Sequence, residues 1–305
     1  MTSTAHCMEH LTRHVPGVEA ITLCGSHRQG TADGYSDRDI WVFLRDDQPI
    51  SEHLATTVFL PAGAACEVLF EGRDDTLTDH TVINVLTATE VLNLKILHTR
   101  VLTAFSAQDP NLDVQYLEDL ENYTTMQVLH DPAGVIRTHQ GWLDRHALAT
   151  ISDWLLPALA SRYASTYWRS VYQGVLRTEE HAWRHLATRL IELLAQLGFA
   201  QAGALPPPGK WLLSPRILSC LPAGDGITGL LDQLHCASTR EPDSVVAFYR
   251  ALAAVEDGLL TNDELFAGMW WRGVFSERIV HLAHHNGRPD LLALSQAAPR
   301  PRTVR

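Results

Sequence analysis

The sequence predicts an α+β fold: an N-terminal domain with a mixed sheet flanked by helices, followed by an all-α helical domain. Three observations carry this. Short apolar runs bounded by turn residues recur from Val18 to about residue 130. Beyond about residue 135, long stretches with helical periodicity replace them. The 305 residues are 46% hydrophobic, enough for a sizeable core and for two domains. The expected boundaries are 1–140 for the first domain, 141–296 for the helical one, and 297–305 for a Pro/Arg-rich flexible tail.

The elements follow in order. Residues 5–15 read as a short helix, and Val18 to Leu23 as an apolar strand ending at the turn Gly25-Ser26. A helix can open at Ser26, with its free N–H groups facing that turn. Ile40-Trp41-Val42-Phe43-Leu44 is a fully apolar, buried strand. A helix is expected from Gln48 to about Thr56, a third strand at Cys66–Phe70 and a fourth at Thr81–Leu86. Thr89 to Phe105 shows helical periodicity, with Thr89 as cap. Asp109-Pro110 ends it, and another helix runs through about residue 122. Met126 to His130 forms a fifth strand, stopped by the turn Asp131-Pro132-Ala133-Gly134. Helices are then expected at roughly 136–147, 152–176, 179–197, 227–237, 243–257, 262–272 and 275–285. Gly198, Gly203 and Pro206-Pro207-Pro208-Gly209 mark an internal loop, and no internal repeat is present.

Composition bounds the function. A net charge of −11 argues against a nonspecific nucleic-acid binder, which needs a basic surface. No apolar run reaches about 18 residues, so no membrane helix is expected. The N-terminus lacks a basic stretch followed by an apolar one, so no signal peptide is read. The five cysteines are scattered and odd in number, which fits free thiols in the cytoplasm. Lysine occurs only at Lys95 and Lys210, so a phosphate-contacting lysine has two candidates.

The chemistry concentrates in one stretch. Gly25-Ser26 is followed by ten residues and then Asp37-Arg38-Asp39, at the head of an apolar strand. A glycine lets backbone come close to a bulky anion. Ser26 offers it a hydroxyl and an N–H. Two carboxylates on alternate strand positions share one face and make a hard oxygen site for Mg²⁺, which usually brings phosphate with it.

With its flanking strands, this pattern resembles the signature of the polymerase-β-like nucleotidyltransferases. The spacer Gly30-Thr31-Ala32-Asp33-Gly34-Tyr35-Ser36 resembles that of the small-molecule branch, such as aminoglycoside and lincosamide nucleotidyltransferases. Val128-Leu129-His130-Asp131-Pro132-Ala133-Gly134 looks like their late strand and turn, and the helical C-terminal half is typical of them. The resemblance covers about residues 18–140 by motif and the remainder by architecture. It implies a Mg²⁺-dependent transferase. An NTP, ATP among them, would donate a nucleoside monophosphate to a small-molecule acceptor and release pyrophosphate. Antibiotic modification or natural-product biosynthesis would be the setting. In that scheme Asp37 and Asp39 hold Mg²⁺, and Gly25, Ser26 and Ser36 face the nucleotide. Arg28 adds a cation, and Lys210, behind a Pro-rich approach, reaches the phosphates. A homodimer is compatible with it. The alternatives are a toxin-like enzyme acting on protein or tRNA, and a degenerate NTP-binding protein without transfer.

One departure stands out. The family places a third carboxylate on a later strand, and here that register falls on Asn84, which cannot act as a general base. Three explanations stay open: Glu67 supplies the carboxylate, the acceptor is already an anion, or transfer is weakened or lost; a misaligned register is the remaining alternative.

Other features read as structural. Lys95 belongs to an apolar helix as a snorkelling surface residue. The pairs His181/His185 and His281/His285 lack the adjacent glutamate of a zinc motif. Tyr163, Tyr167, Trp168 and Tyr172 form a mainly core stripe on one helix, and Trp270-Trp271 is packing. Thr178 caps a helix whose acidic first turn is Glu179-Glu180.

Overall fold

The computed structural model describes residues 3–30, 32, 36–50, 67–74, 80–86, 91–106, 114–207, 209–260, 280–281, 283–285, 287, 289 and 292–297. The fold is α+β, a mixed sheet with helices followed by helices alone. Two compact units divide the chain: residues 1–109 with 119–147, and residues 110–118 with 148–305. The sequence reading put the boundary at 140/141; both that point and 147/148 lie within one helix, Val135–Thr150.

The first unit is built on six strands: β1 (Val18–Leu23), β2 (Arg38–Leu44), β3 (Glu67–Asp74), β4 (His80–Leu86), β5 (Val91–His98) and β6 (Gln127–His130). Their order is β3-β4-β5-β2-β1-β6. The central pair β2/β5 is parallel, and the other pairs are antiparallel. The helices of this part are α1 (Ser3–His14), α2 (Gly25–Gln29), α3 (Arg100–Ser106), α4 (Val114–Thr125) and α5 (Val135–Thr150).

Side-chain alternation gives the sheet two unlike faces. One is apolar: Ile21 and Leu23 of β1, Ile40, Val42 and Leu44 of β2, Ile83 and Val85 of β4, and Leu92, Leu94 and Ile96 of β5 form one core with Leu11 and Val15. The other face carries Thr22, Asp39, Trp41, Asn84, Asn93 and Lys95, in rows fixed by the strand register. Helix α4 covers part of it. Tyr123 meets Trp41 edge-on at 5.1 Å, Lys95 Nζ lies 4.7 Å from the Trp41 ring centre, and the same Nζ is 3.8 Å from Asp119 Oδ1. Burial, reinforced by the Asp119 carboxylate, pushes the Tyr123 phenol well up, so it stays protonated.

The largest correction to the sequence reading lies here. Residues 89–105 do not form one helix. They contain strand β5, a tight turn at Thr99, and helix α3. Leu92, Leu94 and Ile96 are buried at a period of two, with Asn93 and Lys95 between them on the other face. Pairing with β2 on one side and β4 on the other satisfies the backbone of β5, and this outweighs the local helical pattern. The Asp46 carboxylate accepts from the Thr99 hydroxyl (3.1 Å) and the Arg100 N–H (2.7 Å), which starts α3 at that point. Lys95 is accordingly no snorkelling helix residue. It sits on a central strand with its side chain 15% exposed. The helix expected over 48–56 does not include Gln48–Ile50, which are irregular, and its remainder lies outside the described residues. At the end of the unit Asp131 caps α5, accepting from the N–H groups of Val135 (2.8 Å) and Arg137 (3.1 Å).

The second unit is helical: α6 (Leu156–Arg169), α7 (Glu180–Gln201), α8 (Gly209–Leu212), α9 (Pro215–Leu218), α10 (Gly224–Cys236), α11 (Pro242–Leu259) and α12 (Leu292–Ala297) are its described α-helices. Helices α8 and α9 follow the stretch read as an internal loop, where no helix was expected. The helix expected at 262–272 lies outside the described residues. Wide π-type turns flank α6, at Ile151–Leu155 and Ser170–Val175. The first precedes Pro157, whose ring cannot follow a regular turn and lacks an N–H. Gly174 lies in the second, where a Cβ would come within 2.7 Å of Trp183 Cα, so only glycine allows α7 to pack there. The aromatic stripe is core as expected, with Tyr163 and Tyr167 buried. The Tyr163 hydroxyl donates to the buried Glu256 carboxylate. Burial pushes the Tyr249 phenol up to about 12. It donates to Ser170 Oγ at 2.7 Å, whose own proton goes to the Tyr167 carbonyl.

Thr178 is not the cap of α7. It takes a left-handed φ of 59°, and Glu179 occupies the cap position. Glu180 instead ties α7 to the chain after α10. Its Oε2 accepts from the Thr239 N–H (2.7 Å), the Thr239 hydroxyl (2.9 Å) and Ser238 Oγ (3.1 Å), and Oε1 accepts from Arg184 Nε (2.6 Å). Arg184 also reaches the Leu234 and Ala237 carbonyls. Burial opposes ionisation of Glu180, but these donors outweigh it and hold its pKa at about 2, below the ordinary 4.5.

Two outcomes follow for stability. A carboxyl with a depressed pKa stabilises fully above its ordinary value and loses that contribution as pH falls towards the folded one. Urea midpoints measured from pH 5 to pH 2.5 are therefore expected to fall for the native chain and to fall less for Glu180→Gln. Lys95→Met leaves the Asp119 carboxylate buried without its cation and is expected to cost about 3 kcal/mol. The double change Lys95→Met/Asp119→Leu is expected to recover most of that in the same unfolding measurement.

Candidate functional site

Strand β1 ends at Leu23, and the Cys24 N–H donates to the Asp39 carbonyl at 2.9 Å, holding the start of α2 against the head of β2. Gly25 then takes a φ of 65°, a left-handed value that a residue with a Cβ rarely adopts. It is also the point of closest approach: a Cβ there would lie 2.0 Å from Asp39 Oδ2. Backbone conformation and space both require glycine at 25. Helix α2 is a single short turn, closed by a left-handed Gly30 whose N–H donates to the Ser26 carbonyl, as does that of Ala32 at 3.1 Å. Ser26 is 5% exposed. His27 Nε2 donates to the Ser36 carbonyl at 3.5 Å, the outer limit for such a bond, and links the bend to the approach into β2.

The Asp39 carboxylate is held from two sides. Oδ2 faces the bare Cα of Gly25, and Oδ1 accepts from Asn93 Nδ2 at 3.1 Å. Asn93 lies directly opposite Asp39 in the parallel β2/β5 pair, and Asn84 lies opposite Asn93 in β4/β5. The row is therefore Asp39, Asn93, Asn84: one carboxylate and two amides. The position beside Asp39, which the sequence reading gave to Asn84, belongs to Asn93. Asn84 is one strand further away, roughly 10 Å from β2 at ordinary strand spacing. Reading β5 as helix kept Asn93 out of consideration as a strand neighbour of Asp39. Glu67, at the start of β3, pairs with Leu86 and lies three strand spacings from β2, roughly 14 Å. A glutamate cannot span that distance, so the sheet sets Glu67 apart from Asp39.

Asp37 lies immediately before β2, half-buried, and Arg28 is exposed on α2. Lys210 is in α8 of the helical unit, and its side chain is outside the described residues. Among the described residues, no group of three His, Cys, Asp or Glu is arranged to hold a metal ion. Cys24, 1% exposed, is no nucleophile: burial pushes its thiol far up, reinforced by the negative charges of Asp39 and Glu121. Of the residues at the site, sequence reasoning missed Asn93. The signal was present in the alternation Leu92-x-Leu94-x-Ile96.

Among solved structures, the chain aligns with the crystal structure of a nucleotidyltransferase-like protein from Exiguobacterium sibiricum 255-15. The two are 16% identical, over 97% of this chain and 87% of that one, with a TM-score of 0.40. No family model and no curated protein matches the chain. Among the described residues, no helix is long and apolar enough to cross a membrane.

The Gly25–Asp39 contact is testable by itself. Gly25→Ala is expected to cost about 1–2 kcal/mol for the left-handed backbone, and more because its Cβ displaces the carboxylate. In a double-mutant cycle with Asp39→Ala, the second part is relieved, giving a coupling of about 1 kcal/mol in urea unfolding. Strict additivity would show that the carboxylate does not press on the bend.

Proposed function

We propose that this chain transfers a nucleoside monophosphate from an NTP to a small-molecule acceptor, at the bend between β1 and α2. The observation that carries the reading is the approach of Asp39 Oδ2 to the bare Cα of Gly25. It brings a carboxylate beside a glycine turn and Ser26, the parts a metal-bound triphosphate needs. The sequence resemblance to polymerase-β-like nucleotidyltransferases supports the same reading through the same residues.

The donor set fits a hard divalent cation. It consists of carboxylate oxygens at Asp37 and Asp39, and the neighbouring Cys24 thiol stays protonated and does not compete. Asp37 and Asp39 would hold Mg²⁺. When bound, Mg²⁺ neutralises phosphate charge and polarises the α-phosphoryl group. Ser26 would give its hydroxyl and N–H to a β- or γ-phosphate oxygen, and Gly25 would let the phosphate chain lie close to the backbone. Arg28 would supply further positive charge. An acceptor oxygen would bond to the α-phosphorus as the bond to the bridging α–β oxygen breaks, and pyrophosphate would leave with that electron pair. A hydroxyl acceptor also gives up a proton, and the row beside Asp39 contains amides in place of a base. Acceptors with an ionised oxygen, a phosphate or a carboxylate, are therefore the ones that this arrangement serves best.

The experiment is pyrophosphate release with each of the four NTPs and Mg²⁺, against aminoglycosides, lincosamides, sugar phosphates and carboxylates. Asp39→Asn is expected to abolish release while leaving the circular dichroism spectrum unchanged. Full activity in that variant would overturn the assignment.

A further inference from the structure

We infer that Asn93 is the residue that positions the Asp39 carboxylate, fixing Oδ1 so that Oδ2 is delivered to the Gly25 bend. This rests on reading the bend as a metal–triphosphate site. The terminal torsion of an aspartate is broad, so a carboxylate takes the rotation that a fixed donor selects. Gly25 provides room for Oδ2 but has no side chain to direct it. A directing contact comes from across the β2/β5 pair, where Asn93 Nδ2 lies 3.1 Å from Oδ1. An ionised carboxylate only accepts, so the amide nitrogen must face it and not the amide oxygen. Leu92 and Leu94, buried on the opposite face, fix the register that keeps Asn93 level with Asp39.

The cation on the same face is engaged elsewhere. Lys95, two residues along β5, stands over Trp41 and pairs with Asp119. The orienting group is thus neutral. It turns the carboxylate without cancelling its charge, as a lysine there would, and without adding a second charge, as an aspartate would. Oδ2 is the oxygen of Asp39 that faces the bend. Groups that orient a metal's direct ligands in this way typically govern affinity by 10–100-fold.

The test has two arms. In the first, the side-chain amide of Asn93 is followed by nitrogen-15 NMR in the metal-free chain. A downfield amide proton that returns to the ordinary range in Asp39→Ala is expected, and a signal that Asp39→Ala does not move would overturn the inference. In the second, free Mn²⁺ is measured by electron paramagnetic resonance during titration with an ATP analogue whose α- and β-phosphorus are bridged by methylene. Asn93→Ala is expected to weaken Mn²⁺–nucleotide binding about 10–100-fold. Asn93→Val, whose branched side chain suits a strand, gives the same result if alanine disturbs folding. Binding within twofold of the native chain in a folded variant would overturn the inference. If the native chain binds no Mn²⁺–nucleotide, the nucleotidyl-transfer reading falls, and the NMR arm alone decides whether Asn93 positions Asp39.

Discussion

Everything at the candidate site depends on one carboxylate gripped between an amide and a bare α-carbon. Asp39 stands at the head of β2 with one oxygen on Asn93 and the other against Gly25. Each contact comes from a different piece of sheet geometry. The Asn93 contact comes from the parallel register of β2 with β5, and the Gly25 contact from the hydrogen bond that closes the end of β1 onto Asp39. Neither is local in sequence.

The sheet can hold this arrangement because its two faces do separate jobs. The face that packs with α1 is largely apolar and supplies the burial that fixes strand register. Its rigidity lets the opposite face carry Asp39, Asn93, Asn84 and the Lys95–Asp119 pair without losing alignment. Slipping β5 by one residue would exchange Leu92 and Leu94 for Asn93 and Lys95 in the core, at a cost in buried polar groups that no local gain offsets. The chemistry on one side is therefore guarded by hydrophobic packing on the other.

Much of this was legible in the sequence. Strands β1 and β2 and the Gly25–Ser26 turn read directly from apolar runs and a glycine at a sharp bend, and the helical second half from its periodicity. The failure at residues 89–105 has a physical cause. Val91-Leu92-Asn93-Leu94-Lys95-Ile96-Leu97 fits both a period of two and a period near 3.6, and only the neighbouring strands decide between them. Asn93 went unseen because its importance lies entirely in what it stands beside. Thr178 misled for a related reason: a threonine before two glutamates looks like a cap, but its backbone is left-handed, which periodicity does not encode.

The parallel pair at the centre of the sheet has one more consequence. Between the end of β2 at Leu44 and the start of β5 at Val91, the chain leaves the centre and builds β3 and β4 before returning. Closing a loop costs free energy only with the logarithm of its length, about 0.6 kcal/mol for each doubling. Segments inserted or removed along this excursion, away from the strands themselves, would barely alter the partnership of β2 with β5. The detour is thus free to lengthen, shorten or change composition while the Asp39 carboxylate keeps the same neighbours.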